Sequence, residues 1–87
     1  MSNTTVITVT VKLFAIYQEV YGVNELVWEF PYGTPVQAVC DRLTREYPEL
    51  SKWREITRFG VNLQFVAADR ILQNGDEVVL IPPVNGG

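Results

Sequence analysis

The first regular feature of the chain is a strict alternation of apolar and polar positions over residues 7–13. The apolar side chains on one side of this segment are Ile7, Val9, Val11 and Leu13. Successive side chains of a β-strand point to opposite faces, so the segment is predicted to be a half-buried strand. Residues 25–30 alternate again, with Leu26, Trp28 and Phe30 on one face, and the short connection between the two runs predicts a hairpin. Residues 14–21 between them are expected to form a short helical turn or a loop that Gly22 closes.

One amphipathic helix is predicted after the hairpin. Its apolar positions recur at helical spacing until Pro48 stops the helix, and they are Val36, Val39, Cys40, Leu43 and Tyr47. The preceding residues predict its start, with Thr34 as N-cap, Pro35 at the first helical position and Gln37 closing a capping box. Because Cys40 lies on the apolar stripe, we interpret it as a buried side chain rather than a sulfur relay.

The second half of the chain is predicted to contain short strands. Residues 59–62 and 64–67 are interpreted as strands, residues 49–58 as a loop or short helix, and residues 74–76 as a turn. Asp76 and Glu77 are expected to end that turn and begin a strand rather than form a carboxylate pair, because adjacent strand residues face opposite ways. The aromatic side chains assigned to the core are Trp28, Phe30, Phe59 and Phe65, and any that is exposed beside the last strand would belong to a partner interface.

The last strand, residues 77–81, is a nearly continuous apolar run, which indicates a central position in its sheet. It is expected to pair in parallel with the first strand, because the helix and the short strands provide the crossover. The predicted fold class is α+β, a ubiquitin-like β-grasp. In it, a mixed sheet of four to five strands packs on one main helix, followed by a flexible C-terminal tail.

The composition excludes several classes of function. The 87 residues suffice for one domain, and 47% hydrophobic with 20% charged residues is typical of a globular protein. The formal net charge of −3 argues against a nucleic-acid partner. With no histidine and a single cysteine, histidine-dependent catalysis, a zinc or other metal site and an internal disulfide are not expected. No apolar run approaches the roughly 20 residues needed to span a bilayer, and the first residues lack a basic signal region, so we expect a cytoplasmic protein without a membrane partner.

The last six residues are the candidate chemical group. We predict a β-grasp domain over residues 1–81 and an extended tail over residues 82–87. Its two prolines stiffen the exit from the sheet, whereas Gly86 and Gly87 carry no side chains and could enter a narrow active site of another protein. A hairpin turn at Asn85-Gly86 is not expected because no second strand follows. The remaining alternative to a reactive tail is a frayed terminus without a function.

The end of the chain closely resembles the molybdopterin synthase small subunits, a family of ubiquitin-like sulfur carriers. The specific matches are Gly75-Asp76-Glu77-Val78, Pro82-Pro83-Val84 and Gly86-Gly87, with support from residues 11–15 and the pair Val61-Asn62. Two segments depart from the family pattern: the loop at residues 16–21 lacks the basic residues common there, and residues 52–58 are idiosyncratic. Because of these departures, the partner contacts of the family cannot be assigned in detail to this chain. The tail residues are not affected.

The resemblance implies a mechanism for the tail. A ubiquitin-activating-type adenylyltransferase would use ATP to adenylate the Gly87 carboxylate, and a sulfur donor protein would convert the adenylate to a thiocarboxylate. Gly87 would carry the sulfur to the synthase large subunit, in a heterotetramer, to form the dithiolene of molybdopterin. The partner-binding tail would consist of Pro82, Pro83, Val84, Asn85 and Gly86. The chain would bind no cofactor and have no independent enzymatic activity.

Three alternatives stay open. The same tail chemistry would suit a sulfur carrier for another pathway, such as thiamine biosynthesis or tRNA thiolation, although Pro82-Pro83 and the chain length favour the molybdopterin branch. A Gly-Gly tail would equally suit a ubiquitin-like modifier that forms isopeptide bonds with lysines. The third alternative is a non-covalent ubiquitin-like binding module, for which removing the tail would change nothing.

Overall fold

The computed structural model describes residues 5–83, and every element predicted from the sequence is found in it. The elements in chain order are β1 (Val6–Leu13), α1 (Ile16–Tyr21), β2 (Glu25–Pro31), α2 (Gln37–Glu46), a 3-10 turn (Pro48–Leu50), α3 (Ser51–Arg54), β3 (Arg58–Val61), β4 (Gln64–Val66) and β5 (Glu77–Ile81). The segment at residues 49–58, predicted as loop or short helix, therefore contains helical turns. Among the described residues, no helix is long and apolar enough to cross a membrane.

The five strands form one mixed sheet in the order β2-β1-β5-β3-β4. β1 and β2 are antiparallel, as the hairpin prediction required, and β5 lies at the centre, parallel to β1 and antiparallel to β3. The prediction of a mixed sheet with parallel first and last strands is confirmed. The central position of β5 matters for function because both of its edges are paired up to the point where the tail begins.

The core lies between α2 and one face of the sheet, which we call the inner face. Val11 lies opposite Val78 and Phe59 opposite Leu80, and all four are buried on this face. The buried side chains that α2 and the residue before it contribute are Val36, Val39, Cys40 and Leu43. Complete burial of an aliphatic side chain of this size contributes about 1.5–3 kcal/mol, so the apolar stripe of α2 is sufficient to hold it on the sheet.

The predicted capping box at the start of α2 is wrong. The Thr34 hydroxyl donates to the carbonyl of Pro31 at 2.6 Å, and no side chain caps the helix. Instead, the N–H groups of Val36 and Gln37 donate to the backbone carbonyls of Arg70 and Ala68, at 2.8 and 3.0 Å. The first free donors of the helix are thus satisfied by a distant loop, which leaves no need for a local cap.

Phe65 was predicted to lie in the core, and this is also wrong, because its side chain is 75% exposed. In the β3–β4 register Phe65 lies opposite Gly60, and Gly60 lies opposite Val79. Paired residues share a face, so Phe65 belongs to the face of the sheet that α2 does not cover, which we call the outer face. The other three aromatic side chains assigned to the core, Trp28, Phe30 and Phe59, are buried as predicted.

Candidate functional site

The candidate site is the point where the chain leaves the sheet after β5. The last ladder pair of β5 joins Ile81 to Arg58 of β3, and Pro82 follows directly. Because proline has no N–H to donate, the ladder cannot continue through Pro82 and Pro83, and the chain must separate from its neighbours. Pro82 is buried and Pro83 is exposed. We call these two residues the stem.

The other predicted tail residues, Val84, Asn85, Gly86 and Gly87, lie outside the described residues. Their roles, and the expectation of a flexible tail, stay predictions. What the structure supplies is the surface from which the tail would start, namely the stem and the residues that surround it.

One side of the stem borders an apolar hollow of about 640 Å³. Its walls come from the end of β1, from α1, from α3 and from the stem itself, and it is lined by Phe14, Ala15, Ile16, Glu19, Trp53, Val79, Ile81, Pro82 and Pro83. On the other side a second hollow of about 460 Å³ is lined by Ile56, Arg58, Ile81 and both stem prolines. The stem is therefore flanked on both sides by segments that precede it by more than 20 residues in the chain.

Two large apolar side chains that line the hollows at the stem are exposed, and a third is exposed on the outer face of the sheet. Phe14 is 50% exposed, Ile56 52% and Phe65 75%. Phe14 lines the same hollow as Ile81, and Phe65 lies across the glycine at position 60 from Val79. Exposed apolar side chains are typical of protein contact surfaces, and Phe14 and Ile56 at the stem are candidates for such a surface.

A buried polar link joins α1 to the residue just before β3. The side chain of Tyr17, from α1, is fully buried, and its hydroxyl is hydrogen-bonded to the hydroxyl of Thr57, just before β3. The Thr57 hydroxyl donates to the carbonyl of Trp53 at 2.7 Å, so the Tyr17 hydroxyl is the donor in the bond between them. Burial raises the pKa of Tyr17 to about 12.

The Cys40 thiol cannot act as an exposed nucleophile in this structure. Its side chain is fully buried, as predicted, and burial raises the pKa of the thiol. A protonated thiol is a poor nucleophile, so the reading of Cys40 as a small core residue is confirmed. Within residues 5–83, no group of three or more cysteine, aspartate or glutamate side chains is placed to hold a metal ion.

Asp76 is buried at the end of the turn that precedes β5. Its carboxylate accepts hydrogen bonds from the Asn62 amide, the Arg70 guanidinium and the Gln73 N–H. Burial alone would raise its pKa, but these hydrogen bonds outweigh burial and hold the pKa of Asp76 below its usual value. Its predicted role at the start of the strand is confirmed, and the network also joins the β4–β5 connection to the β3–β4 turn.

Sequence reasoning identified the stem but missed the residues around it. Phe14 and Ile56 were not singled out, and nothing in the local pattern connects Tyr17 with Thr57, which are 40 positions apart. The exposure of Phe65 follows from its register opposite Gly60, which the local sequence does not reveal.

Comparisons with known proteins agree with this architecture. Residues 11–87 match the model of the ThiS family. The molybdopterin synthase sulfur carrier subunit of Arabidopsis thaliana is 32% identical over 85 residues, covering 98% of this chain and 88% of that protein. Among solved structures, the putative molybdopterin converting factor subunit 1 of Pyrococcus furiosus has a TM-score of 0.76 at 28% identity, with 90% of this chain and 99% of that chain covered. The small archaeal modifier protein 1 of Methanosarcina acetivorans has a TM-score of 0.73 at 29% identity, covering 94% and 98%.

Proposed function

The chain belongs to the ThiS family, and we propose that it is the sulfur carrier subunit of a molybdopterin synthase. The observation that carries this proposal is the similarity to the sulfur carrier subunit from Arabidopsis thaliana over 98% of the chain. The stem geometry supports it, because a carrier needs a rigid exit from the sheet next to a contact surface for its partners.

The proposed reactive group is the carboxylate of Gly87, taken as the terminal residue of the tail over residues 82–87. A carboxylate resists nucleophiles because of its negative charge, so it must first be activated. In the proposed first step a carboxylate oxygen attacks the α-phosphorus of ATP on an adenylyltransferase and pyrophosphate leaves. Hydrosulfide released by a donor protein then attacks the acyl carbon, AMP leaves, and loss of the sulfur-bound proton gives the thiocarboxylate.

The tail would next deliver this sulfur to the large subunit of the synthase for dithiolene formation. The relatives are named as subunits, which supports a stable partner chain. We assign the contact surface to Phe14 and Ile56, which are exposed at the hollows beside the stem, and to Phe65, which is exposed on the outer face of the sheet. We propose that the reaction takes place in the cytoplasm. Gly86 would leave clearance next to the reacting group, and Val84 and Asn85 would extend the stem. The chain itself would bind no cofactor, since ATP is used by the adenylyltransferase.

The second candidate is a protein modifier that forms isopeptide bonds. It is favoured by the similarity to the small archaeal modifier protein 1, at 29% identity and nearly full coverage of both chains. Both candidates share the adenylated intermediate and differ in the group that attacks it, a sulfide equivalent or a lysine amine.

The first test is the intact mass of the protein purified from its own cells and of the same protein after incubation with ATP, an adenylyltransferase and sulfide. We expect a mass increase equal to one sulfur replacing one oxygen, located at Gly87 by fragmentation. Adducts that join Gly87 to lysines of other proteins, without that mass increase, would favour the modifier. Neither product, under conditions that convert a known carrier, would overturn the role of the tail.

A further inference from the structure

The stem borders two hollows whose linings come from segments that are distant in the sequence. On one side are α1 and the residues just before it, including Phe14 and Ile16, together with Trp53 of α3. On the other side are Ile56 and Arg58. The segment over residues 53–58 thus contributes to both hollows, and its Arg58 is the ladder partner of Ile81, directly before the stem. The surroundings of the stem therefore include both α1 and this segment.

The Tyr17–Thr57 hydrogen bond is the polar connection between these two segments. Tyr17 follows Ile16, which lines the first hollow, and Thr57 lies between Ile56 and Arg58, which line the second. The Thr57 hydroxyl continues the link to the carbonyl of Trp53. The Tyr17–Thr57 bond thus joins α1, which lines the first hollow, to the segment over residues 53–58, and the Thr57–Trp53 bond is internal to that segment.

Both hydroxyl groups are shielded from water, so water does not compete for the hydrogen bond between them. Tyr17 is fully buried and Thr57 is 6% exposed. A buried hydroxyl without a hydrogen bond destabilises the folded protein, so breaking the Tyr17–Thr57 bond is unfavourable. The phenol also lies 4.0 Å from the Cys40 sulfur, which is a weak alternative partner.

We propose that Tyr17 and Thr57 are positioning residues that fix the direction of the stem, and hence of the reactive tail, before a partner binds. The inference rests on the proposed function and adds to it a pair of residues that contact neither the substrate nor the reacting atoms. With the link intact, the stem already points in one direction, and the partner does not have to order it. Without the link, the stem becomes ordered only when the partner binds, and this ordering lowers the affinity for the partner. The rate of the chemical step that follows is unchanged.

The kinetic test measures acyl-adenylate formation by the adenylyltransferase as a function of carrier concentration. We expect Tyr17→Phe and Thr57→Val to raise KM for the carrier about threefold to tenfold and to leave kcat within about twofold. Thr57→Ser keeps the hydroxyl and should behave like the wild type. Val39→Ala, which removes core volume from α2 away from the stem, is the control for general loss of stability.

A second measurement does not depend on any enzyme. Carbon-13 relaxation at the α-carbons of Pro82 and Pro83 reports the motion of the stem in the free protein. We expect greater motion in Tyr17→Phe and Thr57→Val, and wild-type motion in Thr57→Ser and Val39→Ala.

Unchanged stem motion in both link variants would overturn the positioning role, whatever the enzyme assay shows. An equal rise in KM for Val39→Ala would also overturn it, since the effect would then follow stability alone. A wild-type protein that is not adenylated at all would count against the proposed function, and the relaxation data would still decide the role of the link.

Discussion

The guanidinium of Arg70 and the carboxylate of Asp76 lie 2.7 Å apart, in an ion pair whose two ends differ in environment. The Asp76 side chain is only 6% exposed, whereas that of Arg70 is 34% exposed. A buried carboxylate needs several donors, and Asp76 has three, from residues 62, 70 and 73. The network fixes the loop from which β5, and ultimately the stem, begins.

Asp76→Asn is expected to destabilise the protein by about 1–3 kcal/mol at neutral pH, because it removes the charge that these donors surround. The pKa of Asp76 is lower in the folded protein than in the unfolded chain. Its contribution to stability is therefore complete above the unfolded pKa and is lost as the pH falls through the folded pKa. Urea unfolding of both proteins from about pH 7 down to about pH 2 should show their difference in the free energy of unfolding shrinking below about pH 4.

The control is Asp69→Asn, which makes the same charge change at an exposed position and should lower the free energy of unfolding by no more than about 0.5 kcal/mol. A difference for Asp76→Asn that does not depend on pH would contradict this role.

Ala15→Gly is expected to stabilise the protein by about 1 kcal/mol. Ala15 has φ 54° and ψ −126°, in a turn closed by a hydrogen bond from the Tyr17 N–H to the Phe14 carbonyl. A side chain makes this conformation unfavourable, whereas glycine adopts it readily, and the relief exceeds the entropy that glycine adds to the unfolded chain. Thermal unfolding would measure the gain, and Ala15→Val should change stability in the opposite direction. A stability loss with glycine would show that the turn is not strained.

Phe65→Ser should weaken binding to the large subunit about tenfold or more while leaving the fold intact, because the side chain is already 75% exposed. The matched control is Val27→Ser, since Val27 is 64% exposed on the edge strand β2. Calorimetric titration of the large subunit with each variant would measure the affinities. Equal effects of the two changes would remove Phe65 from the proposed contact surface.

Deleting Gly87 should leave the unfolding free energy unchanged within about 0.5 kcal/mol, because a terminal glycine adds no side chain to the core. Sulfur transfer to the large subunit should be lost completely, since the proposed reacting carbon is removed. Replacing Ser51, which is exposed on α3, by alanine is the control for an unrelated small change. Retained transfer in the deletion variant would disprove the mechanism proposed for the tail.

The two lysines of the chain should differ in their reactivity towards an acetylating reagent. The Lys12 amine lies 3.1 Å from Glu25 and 3.7 Å from Glu77, and the hydrogen bond and charge of Glu25 raise its pKa. Fewer Lys12 amines are then free to react at neutral pH. Lys52 is exposed on α3, and within residues 5–83 no carboxylate forms an ion pair with it. Brief acetylation followed by peptide mass analysis should modify Lys52 first, and Glu25→Gln should make Lys12 faster. Faster acetylation of Lys12 in the wild type would contradict this order.

The strands, the main helix and their order were predictable because they depend on local properties of the chain. The alternation in residues 7–13 and the apolar run of β5 each require only that neighbouring side chains fall on the correct faces. The end of the β5 ladder was equally local, since Pro82 and Pro83 cannot donate to a neighbouring strand. Together with the resemblance carried by residues 75–87, these local features were enough to indicate the family and the stem.

Only the tertiary structure decided which side chains meet across elements. Thr34 had the sequence of a helix cap, but the carbonyls of Ala68 and Arg70 satisfy the helix instead. Phe65 is apolar enough for the core, but its register opposite Gly60 turns it outward. The Tyr17–Thr57 link joins residues whose local sequences are unrelated. In each case the deciding contact spans 30 or more positions or depends on strand register. Such a contact is fixed by how the packed elements come together, and the neighbours of each residue along the chain carry no record of it.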